Sequence, residues 1–430
     1  MGPGTGDGDR SPLARARASG ADRPERRSRI GLAMAGGGPQ GAVYEIGALK
    51  ALSDGIAGLD LTALHVYVGV SSGGFLGAGL ANRMPPEEMV DVIFSAPGQG
   101  RNPFRPETFF TPARGEYGRR VAALPRLFGD AVRGWLGSPG DMTFVESLMR
   151  LTQALPVGLF DSEPVREYLA ELLAEPGRTD DFRELPAKLR VVTADLDAAQ
   201  AVVFGAPGRD HVPISKAVQA STALPGLYPP VEIEGRYYVD GVLLKTLHAS
   251  VALDEGAELL FCINPIVPVD TARAVEQGVM RRGKLIDRGL PAVMAQSVRT
   301  LIRSRLGAGM SAYDGSYPDA DVVLLEPKRD DYRMFFTNVF SFSDRRAVCE
   351  HAYRQTHAEL LRRREELEPV LARHGMALRL DALRDPDRRP WAPGDRAAEH
   401  LRPAPPRGRK GRPAEVDRLE AALDRLDALL

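Results

Sequence analysis

The sequence predicts an α/β protein built around a mostly parallel sheet. Two stretches of the chain, residues 30–55 and 64–81, each join an apolar strand to a helix through a glycine-containing turn. Later in the chain, further short runs of apolar and β-branched residues are typical of strands that are buried on both faces. A chain that repeats strand, turn and helix in this way forms a sheet with helices packed against it.

Composition sets the class of protein. The 430 residues are 43% hydrophobic and 26% charged, as in a globular protein with a sizeable core. The formal net charge of −1 gives no overall attraction to nucleic acid, so we predict no nucleic-acid partner. Two cysteines are too few for a disulfide framework, and no apolar run is long enough to span a membrane. With no apolar segment of a secretory signal near the N-terminus, these features favour a cytoplasmic protein.

The first elements follow a change in composition near residue 30. Residues 1–29 are rich in Gly, Pro, Arg and Asp and predict a disordered arm. Residues 30–35 then predict a strand, residues 36–41 a glycine loop, and residues 42–55 a helix that stops at its final glycine. The spacing puts four apolar residues on one face of this helix: Ala42, Ile46, Leu49 and Leu52.

The glycine loop at the start of this helix has two interpretations. Gly36, Gly38 and Gly41 fit the G-x-G-x-x-G fingerprint of dinucleotide-binding proteins. That fingerprint requires an acidic residue at the end of the next strand, whereas Asp60 comes before the next strand. We therefore favour the second interpretation, in which the loop binds an anion at the helix N-terminus.

The anion that suits this loop is the oxyanion formed when a substrate carbonyl is attacked. The N–H groups of Gly37 and Gly38 are free to donate to it, whereas Pro39 has no N–H group. Such a site is useful only if a nucleophile lies at the same edge of the sheet.

Ser71 is the candidate nucleophile. It lies between the strand in residues 65–70 and a helix of small residues, within the G-x-S-x-G sequence Gly69-Val70-Ser71-Ser72-Gly73. The two glycines of this motif let the strand and the helix pack closely around a strained turn that exposes the serine hydroxyl. A serine in this setting becomes reactive when a base and oxyanion-stabilising N–H groups are near it.

Residues 82–160 interrupt the α/β pattern and predict a helical insertion rich in bulky apolar side chains. Packing against the core and a cap over a substrate site both explain this composition. Residues 161–164 then contain the capping residues Asp161 and Ser162 followed by Pro164, a combination that typically begins a helix.

The next strands supply a candidate base. Residues 189–196 and 200–204 predict two strands joined by a turn, and residues 231–240 predict a hairpin that turns at Glu234-Gly235. Asp195 ends one strand, where a role in loop hydrogen bonding is expected. Asp240 ends the second strand of the hairpin, where an apolar environment would raise its proton affinity toward the range of a general base.

Five motifs, taken in order, resemble those of the patatin-like phospholipases, with coverage from about residue 30 to about residue 268. They are Gly36-Gly37-Gly38-Pro39-Gln40-Gly41, Gly69-Val70-Ser71-Ser72-Gly73-Gly74, Val192-Thr193-Ala194-Asp195-Leu196, Ala220-Ser221-Thr222-Ala223-Leu224-Pro225 and Tyr238-Val239-Asp240-Gly241. The resemblance implies a three-layer α/β/α sandwich and a lipid acyl hydrolase whose serine and aspartate act without a histidine. By this likeness Ser71 is the nucleophile, Asp240 the base, and Gly36, Gly37 and Gly38 the oxyanion hole. The substrate is then a lipid ester, and no cofactor or metal is predicted.

The sequence departs from the family pattern at two places and leaves two alternatives open. Gln40 stands where the family usually has Arg or Lys, and Val242 stands in the position of a glycine. A catalytically weak lipid-binding or scaffold protein on the same fold is one alternative. The other is an α/β-hydrolase type of esterase in which His248, eight residues beyond Asp240, is the base.

The remaining segments complete the predicted organisation. We assign residues 30–380 to one catalytic domain, with a turn and buried strand in 252–269, helices over about 270–380 and a last strand in 319–327. The arginine-rich helices in 270–310 suit either the surface of a membrane or a core helix whose arginines reach water. Residues 381–430 predict a Pro- and Arg-rich linker and a short amphipathic helix, which either self-associates or docks on the domain.

Overall fold

A computed structural model of the chain describes the following residues. They are 28–94, 109–120, 122, 124–126, 156–276 without 246 and 269, parts of 284–304, 313–328 without 314, 331 and 345–391. Almost all of the predicted N-terminal arm, much of the predicted insertion, and residues 392–430 of the linker and helix predicted over 381–430 lie outside the described residues. The described part of that range begins within a short helix, Leu380–Arg384.

The described elements alternate between strands and helices. The strands are β1 (Ile30–Met34), β2 (Ile56–Ala57), β3 (Val66–Gly69), β4 (Lys188–Asp195), β5 (Gln200–Phe204), β6 (Val231–Ile233), β7 (Arg236–Asp240), β8 (Leu259–Ile263), β9 (Asp321–Leu325) and β10 (Ala377–Leu378). The helices are α1 (Gly38–Gly55), α2 (Ser72–Ala81), α3 (Pro86–Phe94), α4 (Glu163–Leu173), α5 (Ile214–Ser221), α6 (Ala249–Asp254), α7 (Thr271–Glu276), α8 (Lys284–Asp287), α9 (Arg345–Arg362), α10 (Arg364–Arg373) and α11 (Leu380–Arg384). Single 3₁₀ turns are formed by Phe182–Glu184 and Gly241–Leu243.

The main sheet has the strand order β6-β7-β4-β3-β1-β8-β9, with β5 paired to β4. The five strands from β4 to β9 in this order are parallel to one another, whereas β5, β6 and β7 form antiparallel pairs. The prediction of a mostly parallel central sheet is confirmed.

Two hydrophobic cores lie on opposite faces of this sheet, because side chains alternate between the faces along each strand. On β1, Leu32 and Met34 belong to a core that includes residues of α1, α2, α4, α5 and α9, whereas Ala33 belongs to a second core with residues of α6. Helices therefore cover both faces, which gives the predicted three layers of helix, sheet and helix.

Helix α1 differs from the prediction in its start and its surroundings. It begins at Gly38, so the last part of the glycine loop is already its first turn, with Pro39 at a position that tolerates the missing N–H group. The helix is buried on nearly all sides, and not only along the predicted apolar face, because α9 packs against it. The predicted helices over 270–380 include this region, but the sequence gives no sign that α9 packs on α1, which precedes it by about 300 residues.

Strands β3 and β7 share the same edge of β4. Residues 188–191 of β4 pair with β3, and residues 193–195 pair with β7, while β5 occupies the other edge over residues 191–195. Because β3 is parallel to β4 and β7 is antiparallel, the two strands meet with their carboxyl ends facing each other. Gly69 pairs with Val191 and Asp240 with Thr193, so these two strand ends lie about 7 Å apart along β4.

The hairpin of β6 and β7 turns at the predicted pair. Glu234 and Gly235 both have positive φ, 52° and 75°, as a type I′ turn requires. The small antiparallel pair of β2 and β10 is not foreseen from the sequence, since two-residue strands carry no periodic pattern. Within the part of the chain that the structure describes, no helix is long and apolar enough to cross a bilayer.

Candidate active site

Ser71 lies at the turn between β3 and α2 in a backbone conformation that non-glycine residues rarely adopt. Its φ is 53° and its ψ is −121°. Strain of this kind persists only where the surrounding structure holds it, and it concentrates at functional sites. The backbone N–H of Ser71 donates to the Ser221 hydroxyl at 2.8 Å, and that hydroxyl donates to the carbonyl of Val192 at 2.7 Å. The turn is thus anchored to β4 through α5.

The two motif glycines permit the close approach that the sequence predicts. A Cβ on Gly69 would lie 2.3 Å from the carbonyl oxygen of Gly73, and a Cβ on Gly73 would lie 2.5 Å from that of Met34. Neither position has room for a side chain, because strand, turn and helix are in direct backbone contact. The N–H of Gly73 also donates to the carbonyl of Ala35 at 3.2 Å, which joins the start of α2 to the end of β1.

Asp240 is buried at the end of β7, close to Ser71. Its side chain is 2% exposed, and its Oδ1 accepts a hydrogen bond from the N–H of Val242 at 2.9 Å. Burial raises the pKa of Asp240 to about 7, even though the N–H of Val242 and the side chain of Ser71 both stabilise the charged form by hydrogen bonding. A carboxylate with this pKa, in contact with a serine hydroxyl, is suited to accept its proton near neutral pH.

The glycine loop lies directly over Ser71. A Cβ on Gly36 would be 3.0 Å from the Cβ of Ser71 and 3.6 Å from its Oγ. A Cβ on Gly37 would lie 2.7 Å from the Cα of Gly41 and 2.8 Å from the Cγ of Pro265. Gly38 has a φ of 58°, in the left-handed region that favours glycine. The loop needs glycine at all three positions for these reasons.

The N–H groups of this loop are available to a ligand. Among the backbone hydrogen bonds of the described residues, none is donated by Gly36, Gly37 or Gly38. The first N–H groups of a helix have no partner within the helix and carry its positive dipole end. The loop therefore presents unpaired donors in a positive field next to the serine, as an oxyanion requires.

Residues outside this group have other partners. Asp60 lies before β3, near the amino ends of the parallel strands, whereas the glycine loop follows the carboxyl end of β1. Its carboxylate accepts hydrogen bonds from Thr62, so Asp60 does not serve a dinucleotide at that loop. Asp195 accepts hydrogen bonds from the N–H groups of Asp197 and Ala198 and from Arg236, in agreement with the expected loop role.

His248 is buried, and among the described residues its side chain makes no hydrogen bond to Ser71 or Asp240. Its ring interacts with the backbone of Gly241 and Lys245, and its Nε2 has no hydrogen-bond partner among the described residues. Burial lowers the pKa of His248 to about 4. The histidine therefore supports the segment after Asp240 in this structure. No cluster of three metal-binding side chains occurs among the residues described.

Sequence reasoning did not foresee the roles of Ser221 and Pro265. Ser221 is fully buried at the end of α5 and bridges Ser71 to β4, while Pro265 follows β8 and supports Gly37. For Ser221, the signal in the sequence is a hydroxyl at the buried end of a short helix. The support of Gly37 by Pro265 depends on the pairing of β8 with β1, which no local sequence pattern reveals.

A family model for patatin-like phospholipase matches residues 32–253, just over half of the chain. Among solved structures, the chain is similar to VipD from Legionella pneumophila, with 15% identity, a TM-score of 0.34, and 78% of this chain and 67% of that chain covered. It is also similar to a structure of full-length ExoU with full-length SpcU from the type III secretion system of Pseudomonas aeruginosa. There the identity is 16% and the TM-score 0.25, with 66% of this chain and 53% of that chain covered. The chain thus spans about half of one of these proteins and two thirds of the other.

Proposed function

Because the chain belongs to the patatin-like phospholipase family, we propose that it is a lipid acyl hydrolase in which Ser71 is the nucleophile and Asp240 the base. One observation carries this proposal. The strained serine and the buried aspartate are in contact at facing strand ends, under a loop whose N–H groups have no described partner. This arrangement supplies a nucleophile, a base and an oxyanion site in one place.

The proposed reaction proceeds through an acyl-enzyme. The Oγ of Ser71 attacks the ester carbonyl carbon while Asp240 takes the hydroxyl proton, and the N–H groups of Gly36 to Gly38 stabilise the oxyanion. The tetrahedral intermediate then collapses, and protonated Asp240 gives its proton to the departing alcohol. In the second half, Asp240 takes a proton from the water molecule that attacks the acyl-enzyme. The second tetrahedral intermediate then collapses while protonated Asp240 returns this proton to the Oγ of Ser71, which releases the fatty acid and restores both groups.

The substrate we propose is the carboxylic ester of a phospholipid or a related lipid. We also propose that residues 30–380 are the catalytic domain and that it meets its substrate peripherally at a membrane surface. Cys262 and Cys349 are both free and buried thiols, which supports a reducing, cytoplasmic setting.

The direct test is activity-based labelling followed by a substrate panel. A fluorophosphonate probe should label the wild-type chain on the peptide that contains Ser71, as measured by mass spectrometry. The labelled protein should lose the ability to release fatty acid from vesicles of phospholipid and from neutral ester substrates. Lipid binding without any acyl product would instead favour the non-catalytic scaffold.

The pH dependence of hydrolysis should follow the ionisation of Asp240. Only the ionised carboxylate accepts a proton, and the pKa of this group is about 7, so kcat/KM should fall about tenfold per pH unit below that value. A neutral ester should be used, so that substrate ionisation does not contribute, over a range from about pH 5 to about pH 9. A flat profile across this range in protein that remains folded contradicts the role of Asp240 as base.

Gly36→Ala tests the loop over the serine. The new Cβ would lie 3.0 Å from the Cβ of Ser71, so the loop must shift away from the position at which its N–H groups reach the oxyanion. We expect kcat to fall by about 10²-fold or more. Gly74→Ala is the matched control, because its Cβ would meet nothing nearer than Val191 at 3.5 Å, an ordinary contact. Equal kcat values for the two variants would argue against the loop as the oxyanion site.

A further inference from the structure

Glu45 is a buried carboxyl group that the proposed reaction does not use. It lies in α1, is completely inaccessible to solvent, and accepts a hydrogen bond from the Ser72 hydroxyl at 3.2 Å. Its second oxygen, Oε1, has no hydrogen-bond partner among the described residues. Burial of a carboxyl group without a cation is costly, so its retention in the core requires a reason.

The two partners in this hydrogen bond belong to the two halves of the candidate active site. Helix α1 begins with the glycine loop, and Glu45 lies two turns into it. Ser72 is the first residue of α2 and directly follows Ser71. A Cβ on Gly41, one turn before Glu45, would lie 3.6 Å from the Ser72 Oγ, so Ser72 rests on the first turns of α1.

Close contacts between the segment of the glycine loop and the serine turn also involve glycine backbone. Gly36 contacts Ser71, and Gly73 contacts the end of β1, without side chains that interlock. Backbone hydrogen bonds from Gly73 to Ala35 and from Val70 to Met34 hold the serine turn to the end of β1, whereas Glu45 and Ser72 join it to the helix that follows the glycine loop. A hydrogen bond between two buried side chains fixes both a distance and a direction.

The uncharged form of Glu45 is the one that this environment favours. Desolvation by burial raises its pKa well above the usual range, although the Ser72 hydroxyl opposes the shift. A neutral glutamine has the same shape and offers a carbonyl oxygen to Ser72. The structural role of Glu45 therefore depends on its acceptor oxygen and not on a negative charge.

We propose that Glu45 is a positioning residue that, through Ser72, holds Ser71 at the correct distance from the N–H groups of Gly36 to Gly38. This inference rests on the proposed function of Ser71 and the glycine loop. An error of about 1 Å in such a distance costs up to about 10²-fold in rate, because the oxyanion forms only in the transition state. Loss of the link should therefore lower kcat and leave KM nearly unchanged.

Four variants test this inference: E45L, E45Q, S72A and the double variant E45L/S72A. E45L keeps the volume of the side chain and removes the acceptor, and we expect its kcat to fall about 10- to 100-fold. S72A removes the other partner and should cause a similar loss. E45Q should recover most of the wild-type kcat, and the double variant should lose no more than either single variant, since both remove the same bond.

The control is L52A, a fully buried position about two turns further along α1. It should lower the Tm through the cavity it creates but leave kcat unchanged, which separates loss of stability from loss of positioning. The rate of fluorophosphonate labelling at Ser71 gives a second measurement that needs no substrate, and it should fall in E45L and S72A in parallel with kcat.

Each outcome decides a different statement. Wild-type labelling at Ser71 together with unchanged kcat and labelling rate in E45L or S72A overturns the role of Glu45 and leaves the proposed function intact. Losses in E45L and S72A that multiply in the double variant also overturn it. If E45L does not fold, S72A and E45Q still decide, because S72A removes only one oxygen. Hydrolysis without labelling at Ser71 overturns the proposed function itself.

Discussion

Ser71→Ala is expected to abolish ester hydrolysis, with kcat reduced by about 10⁴-fold or more. The substitution removes the only atom that forms the acyl-enzyme in the proposed reaction, and neither Asp240 nor the glycine loop can replace it. Labelling by a fluorophosphonate should disappear in the same variant, as read by fluorescence in a gel and by mass spectrometry of the labelled peptide.

The fold should survive this substitution. Ser71 has a φ of 53°, which strains alanine about as much as serine, and the anchor from its backbone N–H to Ser221 is unchanged. The Tm should therefore stay close to that of the wild type. Ser53→Ala, on the partly exposed part of α1, is the matched control and should retain both hydrolysis and labelling. Labelling that persists at another residue in Ser71→Ala would contradict the assignment of Ser71 as the nucleophile.

Asp240→Asn is expected to remove hydrolysis almost as completely, by about 10³-fold or more in kcat. Asparagine has the size of aspartate and can accept the hydrogen bonds from Val242 and Ser71, but it cannot take a proton from the serine. The kcat should be measured with a neutral ester above about pH 8, where wild-type Asp240 is fully ionised, so that the comparison is made at the wild-type maximum.

The same substitution should stabilise the protein in that pH range. The pKa of Asp240 rises from 3.8 to about 7 on folding, so wild-type stability is greatest below the unfolded value and is lost as the pH rises through the folded value. At about 1.4 kcal/mol per unit, the loss amounts to about 4 kcal/mol by pH 8. Asparagine does not ionise, so the free energy of unfolding of Asp240→Asn should exceed that of the wild type at pH 8 and match it near pH 4.

Two further aspects of the Asp240 prediction can be checked with controls. Asp195→Asn, at the end of β4, should keep its activity, because its partners are loop N–H groups and Arg236. His248→Gln separates the alternative mechanism: a base at His248 requires a loss as large as that of Asp240→Asn. With Asp240 as the base, we expect a change of less than about tenfold.

Much of the site follows from local sequence patterns. The strand before Ser71 and the small-residue helix after it are adjacent in the chain, so their geometry is largely a local property of the G-x-S-x-G segment. The hairpin that carries Asp240 is likewise local, since Glu234 and Gly235 determine its turn. Such elements are predictable because the residues that specify them are the residues that form them.

Contacts between segments that are distant in the chain could not be predicted from the sequence. The burial of α1 on its second side comes from α9, and the support of Gly37 comes from Pro265. Glu45 does leave a trace in the sequence, because it lies at helical spacing between Ala42 and Leu49 on an otherwise apolar face. A carboxyl group in that position is incompatible with an ordinary core and so indicates a specific partner, but it does not identify Ser72.

The meeting of β3 and β7 on one edge of β4 also determines when the proposed serine and aspartate pair can form during synthesis. The glycine loop and the serine turn are complete by residue 74, whereas the aspartate leaves the ribosome 169 residues after the serine. In the proposed reaction, a nascent chain that has not yet added its hairpin to the sheet carries the serine hydroxyl without its base. If the proposed reaction is correct, growing polypeptides should therefore release no fatty acid until β7 has paired with β4.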